Sequence, residues 1–115
     1  MNKNQRKHPI FTRHLKLLIT TEDKKTRPME TLDVSSQGLR LLTHEPYLVI
    51  EPGSMVKIKI PPQKTNSSEI NLEGEIRHYS YERDGSGIFG IQLKKLDKET
   101  KAAWQRTIEN LEKNK

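Results

Sequence analysis

The residues best suited to ligand chemistry lie within six positions, Asp33-Val34-Ser35-Ser36-Gln37-Gly38, between two apolar segments. A carboxylate accepts hydrogen bonds from the N–H groups of a base, a hydroxyl donates to a phosphate, and a glycine lets a ligand approach the backbone. Beside a basic arm, this combination suits a guanine nucleotide. The same residues also suit a plain tight turn, in which Asp33 and Ser35 cap backbone amides and Gly38 takes a positive φ. The six residues alone leave both interpretations open.

The composition restricts the class of protein that could carry this segment. The 115 residues are enough for one domain with a modest core, because 31% are hydrophobic. A net charge of +6 favours anionic partners such as nucleotides, nucleic acid, acidic proteins or anionic lipid. The absence of cysteine excludes disulfides and thiolate zinc sites, and no apolar run approaches the roughly 20 residues of a membrane span. We therefore expect a soluble, cytoplasmic protein without a membrane span.

Motifs of catalysis are missing from the sequence. It has no Gly-x-Ser-x-Gly, no His-Glu-x-x-His and no phosphate-binding glycine loop. The histidines are scattered without metal-ligand spacing, at His8, His14, His44 and His78. We predict no catalytic residues, no metal site and no cofactor, and hence not an enzyme.

The hydrophobic pattern indicates the elements that must position the 33–38 segment. Residues 1–9 are polar and basic and predict a flexible arm, followed by one domain over residues 10–115. Alternating or β-rich segments predict strands at 14–20, 29–34, 38–43, 55–61, 70–82 and 88–96. Asp97 is a good N-cap for a helix from about 97 to 112, whose apolar stripe is Trp104, Ile108 and Leu111. The pattern is typical of an antiparallel barrel or sandwich closed by a helix.

The order of these features resembles one known family. Asp33-x-Ser35-x-x-Gly38 resembles the (Asp/Asn)-x-Ser-x-x-Gly motif of PilZ domains, which are bacterial receptors for cyclic di-GMP. The basic arm QRKHP at 5–9, the late strand GSGIFGIQL at 85–93 and the C-terminal helix follow the family's order. The resemblance covers nearly the whole chain. It implies a mainly β fold, a six-stranded antiparallel PilZ-type β-barrel with a C-terminal α-helix, and cyclic di-GMP as the ligand.

The resemblance also implies roles for individual residues. Asp33 takes a guanine-edge role, Ser35 a phosphate role and Gly38 the close approach, while Arg6 is a phosphate or guanine ligand. The family's arm carries Arg-x-x-x-Arg, but the position of the second arginine is Ile10 here.

Two neighbouring cations could replace the missing arginine. Arg13 lies three residues further on, about 10 Å along an extended chain and on the opposite face of a strand. Lys7 is nearer to Arg6, but it lacks the planar fork of a guanidinium.

Three functions follow from the sequence. The first is a cyclic di-GMP receptor that relays ligand binding to a protein partner, in a setting such as motility or biofilm formation. The second is a PilZ-type adaptor that binds a protein partner without nucleotide, because of Ile10. The third is a basic RNA-binding β-barrel, which the low aromatic content of 5% disfavours. We predict no specific nucleic-acid partner.

Overall fold

The computed structural model describes residues 15–62 and 69–113. Within these two ranges the chain forms six strands and one helix. They are β1 Lys16–Thr20, β2 Thr26–Val34, β3 Gly38–Thr43, β4 Met55–Ile60, β5 Ile70–Tyr81, β6 Gly87–Lys94 and α1 Lys98–Lys113. The predicted arm at 1–9, and with it the candidate ligands Arg6, Lys7 and Arg13, lies outside the described residues.

The strands close into a barrel in the order β1-β2-β3-β6-β5-β4. Every neighbouring pair is antiparallel, and the pairing of Ile19 in β1 with Ile58 in β4 completes the ring. The predicted fold, a six-stranded antiparallel β-barrel with a C-terminal helix, is confirmed. Closure gives each of these six described strands two neighbours, so none of the six is left along an open edge.

Alternation of apolar and polar residues explains why these segments become barrel strands. In β4 the side chains of Val56, Ile58 and Ile60 are buried, whereas Lys57 and Lys59 are exposed, as the sequence predicts. Other strands contribute inward side chains in the same way, and the resulting core includes Leu17, Ile19, Leu41, Leu72, Ile76, Phe89 and Ile91.

Several strands begin or end one to three residues away from the predicted positions, and two of these differences have identifiable backbone reasons. β2 begins at Thr26 rather than 29. Pro28 is tolerated inside β2 because it pairs with Leu18 of β1, while the pairing of β2 with β3 begins only at Glu30. β6 ends at Lys94 rather than 96, because Lys95 adopts a φ of 55°.

The helix is held at both its first turn and its apolar face. The N–H of Thr100 donates to Oδ1 of Asp97 at 2.7 Å, which confirms the predicted N-cap. Trp104 and Ile108 are buried, and Thr107 is also buried with its hydroxyl bonded to the carbonyl of Ala103. The side chain of Leu111, the third residue of the predicted stripe, lies outside the described residues.

The two ends of the barrel carry different side chains. The β2–β3 turn at 35–37 marks one end, here called the turn end. At the opposite end, Thr43 pairs with Gly87, which also pairs with Tyr81. Three tyrosines are exposed there, and their ring centroids are 5.7 Å apart for both Tyr47–Tyr81 and Tyr79–Tyr81. We call this end, formed by these three residues and the loops that carry them, the tyrosine end.

Candidate functional site

A β-bulge in β2 determines where the side chain of Asp33 lies. Thr31 pairs with Leu41, but Asp33 pairs with Arg40, so Leu32 is the extra residue. Uninterrupted alternation would place Asp33 on the inward face together with Met29 and Thr31. The bulge instead puts Asp33 on the same face as the exposed Arg40 and leaves the following Val34 buried in the core. The aspartate of the motif therefore lies on the outside of the barrel.

Asp33 and Arg40 form a cross-strand ion pair at the turn end. Nε and Nη2 of Arg40 both donate to Oδ2 of Asp33, at 2.8 Å and 2.6 Å. The side chain of Asp33 is 12% exposed and that of Arg40 is 58% exposed. These hydrogen bonds raise the pKa of the Arg40 guanidinium, against a smaller opposing effect of desolvation. The pair keeps a largely covered carboxylate next to an exposed guanidinium on the outer face of the barrel.

Hydrogen bonds within the turn fix its backbone. The N–H of Ser35 donates to the carbonyl of Gly38 at 2.8 Å, and the Ser35 hydroxyl donates to the same oxygen at 3.3 Å. The hydroxyl also accepts from the N–H of Gln37 at 3.4 Å. Ser35 therefore caps a backbone amide, as the plain-turn interpretation expects. A phosphate could recruit its hydroxyl only by replacing the bond to Gly38.

Two distant parts of the chain anchor the same turn. The indole N–H of Trp104 in α1 donates to the carbonyl of Ser35 at 3.0 Å. The N–H of Leu93 in β6 donates to the carbonyl of Gln37 at 2.9 Å. Trp104 is 1% exposed and Ser35 is partly buried, so the donor side of this hydrogen bond lies in the core. The conformation of the motif thus depends on how the C-terminal helix packs against the barrel.

Gly38 is required for a different reason from the one expected of a turn glycine. Its φ is not positive, whereas those of Gly53 and Gly85 are. A Cβ at position 38 would overlap the carbonyl oxygen of Ile91 in β6. The expectation of a positive φ is therefore wrong, and the missing side chain instead lets β6 approach β3. A close approach of a ligand to Gly38 stays a prediction.

The structure brings together part of the predicted site. Asp33, Ser35 and Gly38 all lie at the turn end. β1 enters the barrel at the same end, because the N–H of Leu15 donates to Oγ1 of Thr31 and the Thr31 N–H donates to the Leu15 carbonyl. The segment before Leu15 is therefore connected to the barrel near Asp33.

Two residues of the site were missed by sequence reasoning. Arg40 could have been found from the hairpin register, since it lies in an outward position of GLRLL opposite Asp33. The contact between Trp104 and Ser35 spans 69 positions, and no local pattern indicates it.

A polar cleft adjoins the turn on the side of the helix. Its volume is about 540 Å³, and its polar lining consists of Ser36, Gln37, Gln92, Lys95, Lys101 and Gln105. Asp33 and Arg40 are not part of this lining. In the residues that the structure describes, no group of three or more His, Cys, Asp or Glu could hold a metal ion. Nor does the described part contain a helix with the length and apolar character needed to cross a membrane.

Comparison with known proteins identifies relatives of this barrel. The PilZ domain model matches residues 3–110. No curated protein gives a significant match. Among solved structures, the PilZ domain of Escherichia coli YcgR with c-di-GMP has a TM-score of 0.79 at 12% identity, over 96% of this chain and 93% of that one.

Two further structures match the chain over part of their own length. The Bacillus subtilis inhibitor of motility, MotI/DgrA, gives a TM-score of 0.76 at 14% identity, over 96% of this chain. The MrkH–c-di-GMP complex of K. pneumonia gives 0.71 at 14% identity, over 93% of this chain. The chain spans about half the length of both proteins, 52% in each case. At such low identity these matches show a common fold.

Proposed function

Since the chain belongs to the PilZ domain family, we propose that it is a cyclic di-GMP receptor that relays binding to a protein partner. The observation that carries the proposal is the position of Asp33 and Ser35 on one anchored turn, with the carboxylate turned outward by the bulge. The c-di-GMP complexes of E. coli YcgR and K. pneumonia MrkH, which have the same fold, support this ligand.

The proposed contacts follow from the chemistry of the turn. The Asp33 carboxylate accepts from the N–H groups of a guanine edge, as charge-assisted hydrogen bonds. Ser35 exchanges its hydroxyl bond to Gly38 for a bond to a phosphate oxygen. Arg6 on the N-terminal segment contributes a guanidinium for phosphate or guanine, with Lys7 and Arg13 as further candidate cations. Contact of this segment with a ligand bound at the turn end would change the surface available to a partner.

Ile10 limits the affinity that this site can reach. It occupies the position at which the family's arm has a second arginine, and an aliphatic side chain donates no hydrogen bond. A hydrogen bond to a charged group contributes about 1.5–3 kcal/mol, which is roughly tenfold to a few hundredfold in affinity. We therefore expect weak binding by the native protein, and tighter binding after Ile10→Arg.

A second candidate function is a PilZ-type adaptor that binds a protein without nucleotide. The observation that favours it is the same Ile10, together with the satisfied state of the turn. Ser35 is hydrogen-bonded within the turn and Asp33 is paired with Arg40, so both are stable without a ligand. In this alternative, the motif residues stabilise the barrel and bind no ligand.

Calorimetric titration with cyclic di-GMP separates the two functions. The native protein and Ile10→Arg are titrated first, and Asp33→Ala is then made in whichever protein binds. Glu82→Ala is the matched control, because it also removes one carboxylate but lies at the tyrosine end. We expect Asp33→Ala to weaken binding about tenfold or more, and Glu82→Ala to leave it unchanged.

The outcomes have distinct meanings once folding is verified by thermal unfolding. Unchanged affinity in a folded Asp33→Ala variant contradicts the role of the carboxylate. Tight binding by the native protein shows that Lys7 or Arg13 replaces the missing arginine. Absence of binding by both the native protein and Ile10→Arg rejects the receptor function and favours the adaptor.

A further inference from the structure

We propose that Arg40 is a specificity-determining residue, which donates to O6 of the guanine whose N–H edge Asp33 accepts. The Asp33–Arg40 pair would thereby select guanine over adenine. This inference rests on the proposed function, since it names the base that the same site recognises. It concerns a residue outside the Asp-x-Ser-x-x-Gly motif, on the strand that follows it.

The geometry of the pair leaves hydrogen-bonding capacity on both partners that the pair itself does not use. Arginine has five N–H donors, and two of those of Arg40 are directed at Oδ2 of Asp33. Three N–H donors are therefore not used on Asp33, and the side chain is 58% exposed. On Asp33, both hydrogen bonds from Arg40 fall on Oδ2, and a carboxylate has about four lone-pair positions over its two oxygens. The carboxylate can accept a further N–H without losing Arg40.

A guanine matches this arrangement of an acceptor beside a donor. Its Watson–Crick edge presents N1–H and N2–H donors directly beside the O6 acceptor. With N1–H bonded to Asp33, O6 faces the neighbouring guanidinium, and arginine is the usual side chain for guanine O6. Adenine presents the reverse pattern, with an acceptor at N1 and a donor at N6. It would face a carboxylate with N1 and a guanidinium with N6, and both contacts are unfavourable.

The ion pair also holds Arg40 in position before a ligand arrives. Two short hydrogen bonds to a carboxylate that is only 12% exposed fix the guanidinium plane, so less side-chain entropy is lost on binding. Arg40 is charged, because a guanidinium is not deprotonated in proteins, and its bonds to Asp33 raise its pKa further. The pair sits at the end of the barrel where β1 begins, which is also where the N-terminal segment joins.

The test compares two cyclic dinucleotides that differ in the base. Cyclic di-GMP and cyclic di-AMP are titrated into the native protein and Ile10→Arg, each with and without Arg40→Ala and Arg40→Lys. Arg77→Ala is the matched control, because Arg77 is also an arginine on a strand and is paired with a carboxylate. Its side chain is 50% exposed, and its Nη1 lies 3.6 Å from Oε2 of Glu75. The measured quantity is the ratio of the two affinities, because loss of charge alone weakens both ligands equally.

We expect Arg40→Ala to weaken cyclic di-GMP binding by about tenfold to a hundredfold and to lower the guanine-to-adenine ratio by a similar factor. Arg40→Lys should restore little of the ratio, because lysine lacks the planar fork, and Arg77→Ala should change neither value. An unchanged ratio overturns the inference, even if both affinities fall. Stronger cyclic di-GMP binding by Arg40→Ala also overturns it and makes Arg40 a competitor for Asp33.

Failure of the proposed function gives a different result from failure of this inference. If neither the native protein nor Ile10→Arg binds cyclic di-GMP, the receptor function and the role of Arg40 are both rejected. If cyclic di-GMP binds and the ratio is insensitive to Arg40, the receptor function stands and this inference alone is rejected.

Discussion

The turn end and the tyrosine end of the barrel are stabilised by different kinds of contact. At the turn end, backbone carbonyls of Ser35 and Gln37 accept hydrogen bonds from α1 and β6, and the charged groups lie outside. At the tyrosine end, the loop carrying Tyr47 is held by ring contacts and by the hydroxyl of Tyr81, which donates to the carbonyl of Leu48 at 3.0 Å. The first arrangement fixes a backbone shape, whereas the second leaves three tyrosine residues 37–66% exposed.

This difference indicates that the two ends suit different kinds of binding partner. An anchored turn with an outward carboxylate presents directional hydrogen bonds, which suit a small polar ligand. Exposed aromatic rings offer contact area with few directional demands. If the two ends are structurally independent, a substitution at one end should leave the structure of the other end unchanged.

The largest expected effect is at the helix that anchors the turn end. Trp104→Ala should lower the free energy of unfolding by about 3–5 kcal/mol, because it removes a buried aromatic side chain. Trp104→Phe keeps most of the apolar volume and removes the indole N–H that bonds Ser35, so its cost should be smaller. Denaturant unfolding measures both values, and Gln105→Ala on the exposed face of α1 is the control. Equal stability of Trp104→Ala and the native protein would mean that the helix is detached.

Glycines of the barrel provide the second test of the turn end. Gly38→Ala should destabilise by roughly 1–3 kcal/mol, because the new methyl group overlaps the backbone carbonyl of Ile91. Gly90→Ala is the matched control on β6. Its Cβ would lie 3.5 Å from the ring of His78, an ordinary contact. Thermal unfolding of the two variants should separate them, and similar melting temperatures would contradict the close approach of β6 to the turn.

The corresponding test at the tyrosine end uses two glycines with nearly equal φ. Gly85 has a φ of +90° and a Cβ there would lie 3.3 Å from the Tyr47 ring, whereas Gly53 has a φ of +91° and open space. Both alanine variants should lose about 1–2 kcal/mol from the left-handed backbone. The additional loss in Gly85→Ala measures how firmly Tyr47 is held. No additional loss would show that the ring moves away without cost.

The smallest effect concerns two carboxylates, one at each end. A backbone hydrogen bond from Thr100 lowers the pKa of Asp97, and one from Ser86 lowers the pKa of Asp84. A carboxyl group whose pKa is lower in the folded than in the unfolded protein stabilises the fold at a pH above its unfolded pKa, which is near 3.8. This stabilisation is lost as the pH falls through the folded-state pKa. Asp97→Asn and Asp84→Asn keep an acceptor oxygen but do not titrate. Each should flatten the fall in melting temperature below about pH 4, and an unchanged profile would contradict the hydrogen bond that the carboxylate in question accepts.

The parts of the fold that depend on local sequence could be predicted. β3 occupies residues 38–43 as the alternation indicates, and Asp97 caps α1 because the cap needs only the neighbouring amides. The start of β2 was predicted too late, because the cost of Pro28 depends on whether a strand lies on its open side. Which strands lie beside Pro28 is determined by the closed barrel, and the hydrophobic pattern of the local sequence does not indicate it.

The candidate site was less accessible to sequence reasoning than the fold. The motif residues were identified, but the bulge at Leu32 that turns Asp33 outward depends on the register between β2 and β3. The tyrosine cluster combines Tyr47 from a loop with Tyr79 and Tyr81 from β5. Aromatic content alone therefore underestimated how much aromatic surface is exposed in one place.

The contact between Trp104 and Ser35 allows the motif turn to be followed by intrinsic tryptophan fluorescence. The chain has one tryptophan, so indole emission comes entirely from a ring bonded to the motif turn. Because that ring is 1% exposed, its emission should lie at short wavelength and be poorly quenched by acrylamide. A ligand that displaces the turn would alter the emission without any attached dye, whereas a partner at the tyrosine end would leave it nearly constant. Selective excitation of the indole can therefore show which end of the barrel a ligand occupies.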